Sequence, residues 1–221
     1  MARNTATTTP PKPAPRLSGP GRPKDLGKRA SILEAAKRLF ASEGLAGASM
    51  DQIAAAAGVS KLTVYSHFGD KEALFAAAVR AKCEEMLPDD LFQQQFKGPL
   101  RTQLKAIASG FFALISSDEA ISTHRMMIAP GNANDPLRKL FWEAGPQRTH
   151  DAFAAFLQAR VDARELDIAD VGRASEQFFA LLKGEMHVRM VSGLCDKPPR
   201  GDVSTHIEAT VDMFLRAYAV R

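Results

Sequence analysis

Residues 57–71, AGVSKLTVYSHFGDK, join a Gly-Val-Ser turn to a short helix and end it at a Gly-Asp break. Ser60 stands at the N-cap position, where a side-chain oxygen can accept from a backbone amide that has no helical partner. The helix shows Lys61, Thr63, Tyr65 and His67 outward, while Val59, Val64 and Phe68 point the other way, toward the preceding helices. A merely solvated helix gains from Glu and Lys four residues apart, yet no acid lies between Ser60 and Gly69. The outer face is one of cation, hydroxyl and aromatic edge, and such a surface suits a polyanion.

The residues upstream complete a motif. Ser49-Met-Asp-Gln52 forms a capping box, in which serine meets the amide of the third helical residue and glutamine caps the serine in return. The helix it opens carries Ile53 and Ala54 inward and ends at Ala57-Gly58. Two short helices joined by a tight glycine-containing turn make a helix-turn-helix, whose second helix can enter the DNA major groove. Residues 25–43 form the helix on which the pair packs, with Leu26, Leu33, Ala36 and Phe40 in one stripe, Ile32 and Leu39 beside it, and Gly44 as its stop. Asp70 caps a fourth helix that runs toward Met86, before Pro88.

On this scaffold Lys61 and Thr63 can donate to base edges, and the Thr63 methyl can meet thymine. Tyr65 and His67 can reach phosphate oxygens, as can Lys71 and the free amides that open the fourth helix. A solvated helical hairpin with an ordinary polar face is the alternative.

Over residues 28–74, through ILEAAKRLFASEG and SMDQIAAAAGVSKLTVYSHFGDKEALF, the chain resembles the TetR family of bacterial transcriptional regulators. The resemblance implies a homodimer that binds a palindromic operator in double-stranded DNA and leaves it when a small molecule enters the C-terminal domain. Position by position, it implies base reading by Lys61, Leu62 and Thr63, and phosphate contact by Ser49, Tyr65, His67 and Lys71. The N-cap Ser60 is grouped with these DNA-facing residues. Leu62 stands where many members carry glycine or proline, which opens a contact to a thymine methyl.

The arm ahead of the motif is basic. Residues 1–30 hold seven cations against Asp25 alone, a net +6, which leaves −2 for the rest of a chain whose total is +4. Residues 1–24 include six prolines and no apolar periodicity, and read as a disordered arm. Within it, GPGRPK contains Gly-Arg-Pro, the core of an AT-hook, so Arg22 and Lys24 are expected in or beside an A·T-rich minor groove. The alternative is a solubilising tail.

Helical signals continue almost to the C-terminus. The expected fold is all-α: a three-helix DNA-binding domain at 25–72 and a helical bundle at 73–221 for ligand binding and dimerisation. PLRKLFWEAGPQRTHDAFAAFLQARVDARELDIADVGRASEQFFALLKG resembles the C-terminal domain of AefR- or AcrR-type efflux repressors. Phe153, Phe156, Phe178, Phe179 and Leu182 make a broad apolar face, which either meets a second copy as in the family's four-helix dimer bundle or fills the protomer's own core. An apolar pocket for a small effector is expected from Phe111, Phe112 and Ile115, from His124, Met126 and Met127, and from Phe141 and Trp142. Plain core packing is the competing reading of each.

Other classes are excluded by what the chain lacks. Apolar residues are 45% of its 221 residues and charged residues 24%, an ordinary globular balance. No apolar run reaches the ~18–20 residues of a membrane span, and no leader-type hydrophobic segment opens the chain, so the cytoplasm is the expected location. Cys83 and Cys195 lie 112 residues apart, without metal or disulfide spacing. The five histidines form no H-E-x-x-H pair, and no phosphate-cradling loop or G-x-S-x-G turn is present. Neither an enzyme nor a cofactor is expected. The rival is an architectural DNA-binding protein without effector.

Overall fold

The computed structural model describes residues 25–93, 98–129 and 136–220. Among these the chain forms α1 (Leu26–Gly47), α2 (Met50–Ala57), α3 (Lys61–Phe68), α4 (Lys71–Met86), α5 (Leu100–Ile115), α6 (Asp118–Ile128), α7 (Pro136–Ala144), α8 (Pro146–Asp162), α9 (Val171–Val191) and α10 (Arg200–Tyr218), with a 3-10 turn at Asp89–Phe92. The only extended pairing among the described residues is a single antiparallel bridge between Leu166 and Ala219. The fold is all-α, and the N-terminal unit is a helix-turn-helix.

Local chemistry sets the helix starts. The side chains of Asp25, Ser49, Ser60, Asp70, Ser117 and Asp170 each accept from a first-turn amide, satisfying donors that a helix leaves open. The Ser49–Gln52 capping box is complete in both directions. Gly58 takes φ 67° at the turn between α2 and α3, a left-handed conformation that only glycine adopts at little cost. The first helix breaks at Gly44, as the sequence implies, and then gains a further turn to Gly47.

Two cores form. The first gathers Ile32, Ala36 and Phe40 of α1, Ile53 of α2, Val64 of α3 and Leu74, Phe75 and Ala78 of α4. Phe40 meets Phe75 edge-on at 5.4 Å. The boundary drawn at residue 72 therefore cuts through α4, whose first two turns belong to the N-terminal core. The second core joins α5, α8, α9 and α10.

The aromatic face expected to meet a second copy lies inside the protomer instead. Phe153, Phe178, Phe179 and Leu182 are 0% exposed and Phe156 2%. Phe153 lies 4.8 Å from Phe178 and 5.1 Å from Phe179, and Phe214 of α10 covers Phe178 at 5.0 Å. All five fill the protomer's own core, where each side chain stabilises the fold by about 1.5–3 kcal/mol. The surfaces left uncovered on α9 and α10 instead show Leu181, Val188 and Met213.

The sequence gives no warning of one break. Gly184 inside α9 adopts φ 47° and ψ −160°, and the interrupted ladder is met from α10, where His206 Nε2 lies 3.0 Å from the Leu182 carbonyl oxygen.

Candidate nucleic-acid interface and effector cavity

The exposed face of α3 is built from Lys61, Leu62, Tyr65 and Ser66. Leu62 is 78% exposed, an apolar side chain offered to solvent with no packing reason among the described residues. Lys61 pairs with Asp51 of α2 at 2.8 Å, and hydrogen bonding to that carboxylate, then its charge, raises the lysine pKa. Thr63 is turned partly inward, with its hydroxyl 2.8 Å from Ser60 Oγ. Ser60 and Ser49 also use their oxygens as caps.

Lys71 donates to the Ala48 carbonyl at 3.2 Å and is half-buried, so it braces the loop before α2. His67 is half-buried beside Phe68, with Nδ1 lacking a hydrogen-bond partner among the described residues. Tyr65 is 42% exposed. Ser66 went unnoticed in the sequence because its hydroxyl, bonded to the Thr63 carbonyl, follows no motif. Its place one turn after Leu62 was the available signal. Arg22 and Lys24 lie outside the described residues.

A cavity of about 100 Å³ opens where the two cores meet. From the N-terminal unit come Lys37 and Phe40 of α1 and Phe75 and Ala78 of α4. From the bundle come Phe111 and Ile115 of α5, His124 of α6, Phe141 of α7, Thr149 and His150 of α8, and Lys183 of α9. Four of the eight side chains expected in a pocket thus line it: Phe111, Ile115, His124 and Phe141. The other four do not. Phe112 turns toward His206 of α10, 6.2 Å between rings. Met126 and Met127 pack on the N-terminal core. Trp142 is 47% exposed, stacks on His150 at 6.0 Å and donates to Gln147 at 2.8 Å.

The polar lining was not read from the sequence. Burial works against the charge of Lys37, but Glu34 and Glu85 outweigh it and hold the pKa up. Lys82 pairs with Glu119 at 3.4 Å. Lys183 has no ion pair or hydrogen bond among the described residues, and burial lowers its pKa. His124 Nδ1 lies 3.3 Å from His187 Nε2. Burial, then His187, then Lys183 depress the His124 pKa to about 4. Burial and then Lys183 also depress His150 and His187. Burial pushes the Cys83 thiol up to about 11. An apolar cavity with a few convergent polar groups is what a small-molecule site requires.

Residues 102–220 match the model of the AefR-like transcriptional repressor C-terminal domain, and residues 32–78 match that of the tetR family of bacterial regulatory proteins. The chain is 36% identical over 80 residues to the HTH-type transcriptional repressor AcnR of Corynebacterium glutamicum, a match covering 35% of this chain and 43% of that protein. It is 46% identical over 48 residues to the HTH-type transcriptional regulator AcrR of Shigella flexneri, covering 22% of each. The matched stretches thus span less than half the length of these curated relatives. A TetR-family transcriptional regulator from Mesorhizobium loti MAFF303099 superimposes with TM-score 0.75 at 25% identity, covering 90% of this chain and all of that one. The flavonoid-responsive regulator FrrA superimposes with TM-score 0.65 at 33% identity, covering 88% of this chain and 98% of that one. No helix among the described residues is long and apolar enough to cross a membrane.

Proposed function

Because the chain belongs to the TetR family of bacterial regulatory proteins, we propose that it is a dimeric, sequence-specific transcriptional repressor that leaves a palindromic operator when a small apolar or aromatic effector fills the cavity. In this reading Lys61, Leu62, Tyr65 and Ser66 face the major groove. Two such faces must sit about 34–36 Å apart to enter successive grooves. The partner copy packs on α9 and α10 through Leu181, Val188 and Met213, an exposed apolar set that a second copy would cover.

The observation that carries the mechanism is the cavity's shared wall. Phe40, Phe75 and Ala78 belong both to the DNA-binding core and to the cavity, so an occupant touches the DNA-binding unit without an intermediary. A second link runs through α6. Arg125 donates to the Met190 and Val191 carbonyls at the end of α9, and Ser122 donates to the Ala41 carbonyl of α1. The dimer face and the recognition unit are thereby tied by one helix. An effector releases DNA by binding the DNA-incompetent arrangement more tightly, and DNA then weakens the effector by the same factor.

FrrA's response to flavonoids supports an aromatic effector. The test is selection of bound fragments from genomic DNA, followed by footprinting with and without candidate compounds. A protected palindrome that a compound abolishes is the expected result. Uniform protection without a palindrome would leave an architectural protein instead.

A further inference from the structure

The cavity's charges do not balance. Three lysines line it. Lys37 is answered by Glu34 and Glu85, and Lys82 by Glu119. Lys183 alone of the three faces the cavity with no acid in reach among the described residues. A second group is also unanswered: His150 Nδ1 is buried and has no hydrogen-bond partner among the described residues. Leaving a buried polar atom such as this unpaired costs on the order of 1–3 kcal/mol, while Lys183 is partly buried and stands in the cavity wall as an unpaired cation. Both residues line one cavity, and an unpaired cation in its wall calls for an anionic ligand.

We propose that the effector is a compact organic acid, with its apolar body against Phe111 and Phe141 and its anionic head held by Lys183 beside the His150 ring. The proposal rests on the repressor reading above, since it names the chemistry of that effector. Cavity size sets the scale of the body. At about 100 Å³ the space is on the order of a benzene-binding cavity, so a single ring or a short chain fits without rearrangement. The three imidazoles around the site, His124, His150 and His187, are all held toward the neutral form by burial and by Lys183. They therefore lend no second positive charge near neutral pH, and one monovalent head matches one cation. Charge-assisted hydrogen bonds are about twice as strong as neutral ones, which makes the acid distinguishable from its neutral isostere.

The test uses the full chain and matched acid–amide pairs: 4-hydroxybenzoate, cinnamate and hexanoate, each against its primary amide. Binding is read by calorimetry and by the emission of Trp142, which stacks on His150. At least one acid should bind about tenfold or more tighter than its amide. The ring and chain skeletons separate an aromatic from an aliphatic body. Lys183→Met should erase the preference for acid over amide, Lys183→Arg should keep it, and thermal unfolding of Lys183→Met should show no loss of stability. Amides that equal their acids, a panel in which no acid binds, or a preference that survives Lys183→Met would each overturn the proposal. Operator binding measured alongside separates the two claims. Amides that bind and release the operator leave the repressor reading intact without the acid. An acid that binds through Lys183 yet leaves operator affinity unchanged keeps the site and removes the release mechanism.

Discussion

The ammonium of Lys61, first residue of the recognition helix, is held 2.8 Å from the carboxylate of Asp51 in the helix before it. In the proposed reading, DNA competes with Asp51 for that cation. Both groups are exposed, so the pair itself is weak and the exchange is easy. Asp51→Asn is predicted to strengthen binding to operator and random DNA alike and to steepen the salt dependence by about one unit if Lys61 then reaches a phosphate. Affinities at several salt concentrations read the slope, and an unchanged slope removes Lys61 from the phosphate contacts.

Leu62 and Thr63, adjacent in sequence, are predicted to behave differently. Leu62 projects outward, whereas the Thr63 hydroxyl is engaged by Ser60. Leu62→Ala should cost about 1–3 kcal/mol at thymine-bearing operator positions and little elsewhere. Thr63→Ala should weaken operator and random DNA together, by loosening the start of α3. Affinities on a set of single-base operator variants distinguish the two, and a base-specific loss for Thr63→Ala would restore it as a reader.

Core and interface substitutions should separate cleanly. Phe178→Ala, in the aromatic cluster, is predicted to cost about 3–5 kcal/mol in denaturant unfolding. Val188→Glu with Met213→Glu should instead yield a folded monomer with lost operator affinity. Sedimentation decides this, and a double variant that stays dimeric would move the interface elsewhere on the protomer.

Gly184 is predicted to resist substitution. An added Cβ would lie 3.2 Å from His206 Cε1 at a φ of 47°. The positive φ alone costs a side chain about 1–3 kcal/mol, so Gly184→Ala should lower the urea midpoint by a corresponding amount. An unchanged midpoint would mean that α9 straightens in solution.

Stability should fall in mild acid. His124, His150 and His187 have folded-state pKa values below the usual histidine value of 6.5, His124 at about 4. Below 6.5 the unfolded chain takes up protons that the folded chain refuses, so stability present above that pH is lost as pH falls toward 4. For His124 alone the loss approaches about 3 kcal/mol as an upper figure. Replacing His124 with Phe should flatten the curve in this window, and an equally steep curve would remove His124 as its source.

The helix starts were readable because their causes are local. Asp25, Ser49, Ser60, Asp70 and Asp170 cap amides two or three residues away. What covers an apolar stripe is not local. Periodicity marks Phe153 and Phe178 as apolar, but only the arrival of Phe214 from α10 decides that no partner is needed. Phe111 and Phe112 split for a related reason: successive residues on a helix point about 100° apart, so one enters the cavity and the other meets His206. Met126 and Met127 face the N-terminal core because α6 also packs on α1. Lys183 sits in the run FFALLKG, where a cation among apolar residues was itself the sign of a special site.

The wall that Phe40 and Phe75 share between core and cavity binds two properties of the molecule into one. Any substitution that reshapes the cavity for a new inducer also repacks the unit that grips DNA. In the proposed reading, recognition of inducer and strength of repression cannot be tuned independently at these positions. In that reading a sensor redesigned through Phe40 or Phe75 will show altered background expression before any inducer is added, while one redesigned through Phe111, a member of the bundle core alone, will not.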